Sequence, residues 1–184
     1  MTDPATPLPA FEPPAERAFL DWAHEVCERL WLEPGEDRTP DDFLGFLRRT
    51  YADNGALPAE LLAPLVQERR TAEAGRFLAR LAGPVRRETG FDLGDILLSE
   101  PPDEFQPTGT TQIGNITVLG VRSPDIACET AEGVQDYLMS RHRTVWPRCP
   151  AHRLGYHPVL TGTAPEWECS GGGGHRVPVF ADGS

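Results

Sequence analysis

Two cysteines and three histidines fall within 27 residues, from Cys149 to His175, in a stretch with few apolar side chains to fold around. No other feature constrains the chain as tightly. Cys149 and His152 are spaced C-x2-H, and Cys169 and His175 are spaced C-x5-H across Gly171 to Gly174. A two-residue gap lets one tight turn aim both donors at one point. Four soft or borderline donors from two short segments are what a tetrahedral zinc site requires. The 16 residues between His152 and Cys169 are enough for a short β-hairpin that folds the second pair onto the first. The glycine run gives the second loop its backbone freedom. The expected metal ligands are therefore Cys149, His152, Cys169 and His175. His157, just before Pro158, is the alternative fourth ligand. A structural zinc contributes roughly 10–16 kcal/mol of apparent binding energy in zinc-finger peptides, enough to order such a module. Two competing readings are a Cys149–Cys169 disulfide and an ordinary hairpin with unpaired thiols.

This stretch resembles the zinc-ribbon family, in which a CPxC knuckle is followed by a WxC knuckle. The matching positions are Cys149-Pro150-Ala151-His152 and Trp167-Glu168-Cys169. The resemblance covers about 40 of the 184 residues. His152 stands where the family has its second cysteine, and glycines stretch the second knuckle. The wider arrangement of Trp146 to Pro158 followed by Trp167 to Cys169 is similar to a tail of small proteins of GC-rich actinobacteria. That similarity implies no function. The ribbon resemblance implies a structural Zn²⁺ in a β-hairpin module. With four or five candidate donors, a closed site is expected. An open three-ligand site, with Glu166 or Glu168 as base, is the catalytic alternative.

Charge narrows the partners. The chain carries 17 basic and 28 acidic side chains, for a formal net charge of −11. Every basic residue is Arg, which excludes chemistry that needs a lysine, such as a Schiff base. Residues 146–184 are balanced, with three Arg and three acids, so residues 1–145 carry the whole excess. Nucleic-acid binding normally needs a basic footprint and is disfavoured. An acidic body suits solubility or a basic protein partner. The opening MTDPATPLPAFEPP lacks the basic and apolar regions of a secretory signal. No run approaches the roughly 18 apolar residues of a membrane span. The expected setting is cytoplasmic, with no membrane partner and with its four cysteines as thiols or metal ligands rather than disulfides.

The pattern along the chain predicts an α+β fold with a mainly helical N-terminal body. Residues 1–13, with four prolines, read as a disordered tail. The body spans 14–98. A helix over 14–33 places Phe19, Trp22, Val26 and Leu30 on one face and stops at Pro34-Gly35. Thr39, Pro40, Asp41 and Asp42 signal the start of a second helix. Residues 58–83 read as one long helix or two, with a break within the polar stretch Gln67 to Arg76, and 85–98 as a short helix. A linker or loop is expected over 99–112. A strand–helix segment follows over 113–145, with the strand at 113–121 and the helix at 124–142. The ribbon-like module occupies 146–184.

Weaker candidates read as structural. Cys27 falls on the apolar face of its helix, and Cys128 lies in a first helical turn without a nearby His or Arg. Gly109-Thr110-Thr111 lacks the context of a phosphate loop. Asp92, Asp95, Asp103 and Glu104 read as solvated acids rather than a Mg²⁺ site. No phosphate-loop, nucleophile-elbow or zincin motif occurs. The leading expectation is a non-enzymatic adaptor or regulatory protein with a structural zinc, acting through protein–protein contacts, with an immunity-type inhibitor as one form. The alternatives are a nucleic-acid-binding ribbon, using Arg148, Arg153 and Arg176, and a zinc-dependent hydrolase. The enzyme question stays open, with no enzymatic role favoured.

Overall fold

A 31-residue helix forms the spine of the molecule and passes through both of its hydrophobic clusters. The computed structural model describes residues 9–33, 43–162 and 164–180. In these residues four helices and two small antiparallel sheets make an α+β fold, with helices first and most strands later. The helices are α1 (Pro13–Arg29), α2 (Phe43–Asn54), α3 (Ala59–Thr89) and α4 (Ser123–His142). The first sheet is β1 (Leu97–Glu100), β2 (Thr110–Ile113) and β3 (Ile116–Thr117). The second is β4 (Tyr156–Thr161), β5 (Ala164–Cys169) and β6 (Arg176–Pro178).

The N-terminal cluster is built by α1, α2 and the first half of α3. Phe19, Trp22 and Val26 of α1 pack with Phe43 and Leu47 of α2 and with Leu62 and Val66 of α3. Phe11, within the stretch expected to be disordered, lies against Phe19 and Tyr51 at ring-centroid distances of 5.7 and 5.6 Å. Helix α1 ends at Arg29, short of the expected stop. Trp31 takes a left-handed φ of 56°, and the backbone closes with Trp31 N–H to Glu28 O (3.3 Å) and Leu32 N–H to Cys27 O (2.9 Å). That pattern is a Schellman motif, which usually places glycine at the left-handed position. The stop at Pro34-Gly35 and the start signals at Thr39 to Asp42 lie outside the described residues.

Of the two readings of 58–83, the structure takes the first: α3 is one helix, unbroken across Gln67 to Arg76. Gln67, Arg70 and Glu73 are buried, and they turn the polar middle of the helix into a belt of hydrogen bonds. Gln67 donates to Ser99 Oγ (3.0 Å) and to the Glu100 carbonyl. Arg70 donates to the Gly120 and Leu119 carbonyls (3.1 and 3.2 Å) and to Thr108 Oγ1 (3.2 Å). The Ser123 hydroxyl donates to Glu73 (2.6 Å). Buried polar groups need partners, and the segment 99–123 supplies them from both backbone carbonyls and side-chain hydroxyls. Pro64 and Pro84 sit inside the helix. Each removes one backbone bond, and packing of α3 on both sides holds the helix through them.

Two further expectations are corrected. The segment 85–98 is not a separate helix: α3 runs on to Thr89, Gly90 caps it at φ 78°, and β1 begins at Leu97. The single strand at 113–121 is instead a hairpin, in which Ile113 pairs with Ile116 across Gly114-Asn115. Gly114 has φ 60°, as a two-residue hairpin turn demands. Its other strand, β2, starts at Thr110, within the expected loop.

The second cluster joins Ala74, Leu81 and Val85 of α3 to Ile113, Val118 and the inner face of α4. Trp146, Tyr156, Trp167 and Val179 belong to the same cluster, so the terminal sheet shares its core with the helices. Gln135 of α4 donates to the Trp146 carbonyl (3.0 Å), and Trp146 Nε1 donates to Glu88 of α3 (3.0 Å).

Candidate metal centre

The strand period of two decides which residues face the centre. In β5, Trp167 and Cys169 share the buried face. Tyr156 of β4 pairs with Cys169, so the next residue, His157, points to the opposite side. There its Nε2 lies 3.5 Å from Glu168 Oε2. His157, the alternative fourth ligand, is therefore outside the donor cluster.

The first knuckle is a tight turn leading into β4. Arg153 N–H donates to the Cys149 carbonyl and Cys149 N–H to the Leu154 carbonyl, both at 2.8 Å, with Arg153 at φ 57°. The second knuckle leaves β5 at Cys169 and returns at His175, whose carbonyl accepts from Cys169 N–H (2.9 Å). Gly172, Gly173 and Gly174 all have positive φ, which makes that return possible. Gly171 has a different task. A Cβ there would lie 2.9 Å from the His152 ring.

Cys149, His152, Cys169 and His175 each offer one ligand atom, and these atoms lie within 4.8 Å of one another. Among the described residues, this group can hold a metal ion. Cys149 Sγ is 3.4 Å from His175 Nδ1 and 3.8 Å from His152 Nδ1, and His152 Nδ1 is 3.3 Å from Cys169 Sγ. Zinc bond lengths imply tetrahedral sulfur–nitrogen edges of about 3.6 Å. The donor spacing therefore fits a four-coordinate ion. Both thiols are buried and both imidazoles are exposed. The rings stack at 4.7 Å and form the outer wall of the centre.

The electrostatics suit a cation. The neighbouring His175 ring draws the Cys149 thiol down to about 5, against the opposing effect of burial. Burial pushes the Cys169 thiol up. The two other cysteines behave differently: burial raises Cys27 and Cys128 to about 11, and three acids beside Cys128 add to its shift. Neither is a reactive thiol. Glu168 is bound by Arg176 at 2.6 Å, which lowers its pKa, and Glu166 lies 3.9 Å from the same guanidinium.

The other candidates play structural parts. Asp92 pairs with Arg86 at 3.5 Å. A Cβ at Gly109 would fall 2.5 Å from Gln67, so this glycine serves close packing. Sequence reasoning missed the polar belt of α3, although its signal was present as polar residues recurring at helical spacing from Gln67 to Glu73.

Compared with protein-family models, curated proteins and solved structures, the chain matches none of them. Among the described residues, no helix is long and apolar enough to cross a membrane.

Proposed function

We propose that Cys149, His152, Cys169 and His175 bind a structural Zn²⁺, and that the protein is a non-enzymatic adaptor or regulator working through protein contacts. The closed set of four donors carries the first half of this reading. With all four donors bound to one tetrahedral ion, no coordination position would be left for water, and Arg176 engages both candidate bases, Glu166 and Glu168. Those two facts weigh against a hydrolase. The same ion pairs offset the charge of Arg176, which weighs against a nucleic-acid face on the ribbon.

The contact surface rests on a separate observation. Trp31 is 71% exposed, and Leu119 is 61% exposed, and they line one cleft with Glu33, Asp125 and Glu129. Trp31 is also held left-handed, a conformation that costs a non-glycine residue roughly 1–2 kcal/mol. Strain and exposure together at a large aromatic are typical of binding sites. Arg122 lines the same cleft and holds Asp125 at 2.6 Å, so the wall carries both signs of charge, and the exposed Trp31 and Leu119 side chains suit a partner that presents apolar side chains.

Metal content by mass spectrometry on untagged wild type and on C149S, H157A and H175A tests the first half. One zinc per chain, lost in C149S and H175A and kept in H157A, is expected. Zinc retained in H175A would reopen the catalytic reading. For the second half, a stoichiometric partner should be lost from W31E while zinc is retained. A partner that W31E still binds would overturn the assignment of this surface.

A further inference from the structure

Between Arg87 and Arg122 the chain has no basic residue and no histidine, but it has six acids. Glu88 accepts from Trp146 and Asp92 pairs with Arg86, which leaves Asp95, Glu100, Asp103 and Glu104. The last three lie on the β1–β2 hairpin, at the end of β1 and in the loop 101–109 that leads to β2. The hairpin has two sides. Ser99 Oγ accepts from Gln67 of α3 at 3.0 Å, so the strand period turns Leu98 and Glu100 away from that helix. Leu98 is 56% exposed there.

Phe105, in the loop, is 72% exposed, more than any other large apolar side chain among the described residues. Its ring has no aromatic or cationic partner among those residues. The backbone that carries it is closed by its own hydrogen bonds. Asp103 Oδ1 accepts from the N–H groups of Phe105 and Gln106 at 2.8 and 2.7 Å. The Gln106 carbonyl accepts from Asp103 N–H and Gly109 N–H at 3.1 and 2.8 Å. Arg70 reaches the far end of the loop at Thr108, but it is buried and also serves the Leu119 and Gly120 carbonyls. Glu100 and Glu104 have no ion pair among the described residues. An aromatic held in place and presented to water gives up little freedom on binding, and aromatics are enriched in interfaces. The carboxylates around it set the sign of the surface it fits.

We propose that the β1–β2 hairpin docks a second protein, with Phe105 in an apolar pocket whose rim carries basic side chains, lysines among them, opposite Glu100 and Glu104. Two hairpins of this chain facing each other would set acid against acid. The hairpin shares no residue with the Trp31 cleft or with the metal centre.

The absence of lysine from this chain makes a direct test available. A water-soluble carbodiimide joins a carboxylate to a lysine amine as an amide. Full-length wild type is treated in an extract of its own cells, and the linked peptides are sequenced by mass spectrometry. Links from Glu100, Asp103 or Glu104 to lysines of one other protein are expected. They should fall about tenfold or more in F105A and decline as salt is raised. L20A, which trims an exposed apolar side chain on α1, should leave them unchanged. The urea midpoint of F105A should match wild type, because the ring is exposed. No such link in wild type, links that F105A or salt leaves unchanged, or a destabilised F105A would overturn the proposal. Links confined to the N-terminal amine, the only amine of this chain, would make the hairpin a contact of the chain with itself and overturn it as well.

Discussion

Arg70 and Glu129 grip the same two residues of backbone from opposite sides. Arg70, on α3, donates to the carbonyls of Leu119 and Gly120; Glu129, on α4, accepts from their N–H groups at 3.1 and 2.9 Å. The peptides of this exposed loop are thus satisfied by two side chains from the helices that flank it. The loop leads into Val121, which packs in the N-terminal cluster, and then into α4. The clamp therefore ties the two clusters together.

Removing Arg70 would strand two carbonyls and leave the half-buried Glu129 without its compensating charge. R70M is expected to destabilise the fold by about 3 kcal/mol or more, the usual cost of breaking a buried charged network. Urea unfolding with zinc present measures this. A midpoint within error of wild type would show that the clamp is dispensable.

Glu129 gives a pH prediction. Burial raises its carboxyl above the ordinary range, against the pull of the two N–H groups. A group whose pKa is raised on folding holds its proton more tightly in the folded chain. It therefore favours the fold at low pH, and that contribution is lost as pH rises from the ordinary carboxylate value through the folded one. E129Q keeps an oxygen acceptor for both N–H groups but cannot ionise. Its stability should fall less than that of wild type across this window. Parallel urea midpoints for the two proteins, at saturating zinc, would refute the assignment.

At the candidate metal centre, Gly171 is the informative residue because it is not one of the four donors. A Cβ at 2.9 Å from the His152 ring forces the imidazole to shift. G171A should weaken zinc binding about 10–100-fold, the scale seen when supports of metal ligands are lost. G172A removes a glycine from a left-handed position, φ 74°, with nothing within 4 Å of the new Cβ. It adds loop strain of about 1–2 kcal/mol without touching His152, so any loss in G171A beyond that of G172A measures the displacement of the imidazole. Competition with a chromophoric chelator separates the two. Equal losses would mean that loop strain, rather than the position of His152, governs affinity.

The sequence made the four-donor cluster legible because its information is local: two short spacings, a glycine run and a tryptophan two residues before a cysteine. It did not choose between His175 and His157. That choice depends on strand register, which sets Tyr156 opposite Cys169 and turns His157 outward. The helices of the body were legible from their apolar period, but the continuity of α3 was not. Its polar centre looks like a break unless one knows that 99–123 folds back over it with unpaired backbone groups. The hairpin at Ile113–Ile116 was written in Gly114-Asn115, a two-residue turn signal hidden inside an apolar run. Gly133 was equally opaque. It sits in mid-helix in α4, and a Cβ there would lie 2.6 Å from Ile113, so the hairpin packs directly on the helix backbone. G133A should destabilise the protein by about 1–3 kcal/mol through overpacking. An unchanged melting temperature would contradict that close approach.

Trp31 offers the sharpest separation of stability from function. Its φ of 56° ends α1 in a motif where glycine is the cheaper residue, and its ring is largely exposed. If the tryptophan served the fold, replacing it would destabilise the protein. If it is kept for contact with a partner, glycine should relieve the strain and improve the fold while erasing the contact. W31G is therefore expected to raise stability by about 1 kcal/mol, seen as a higher urea midpoint with unchanged zinc content. The same variant should lose the partner that wild type binds. A destabilised W31G would assign Trp31 to the architecture of α1 and remove the main support for this cleft as an interaction surface.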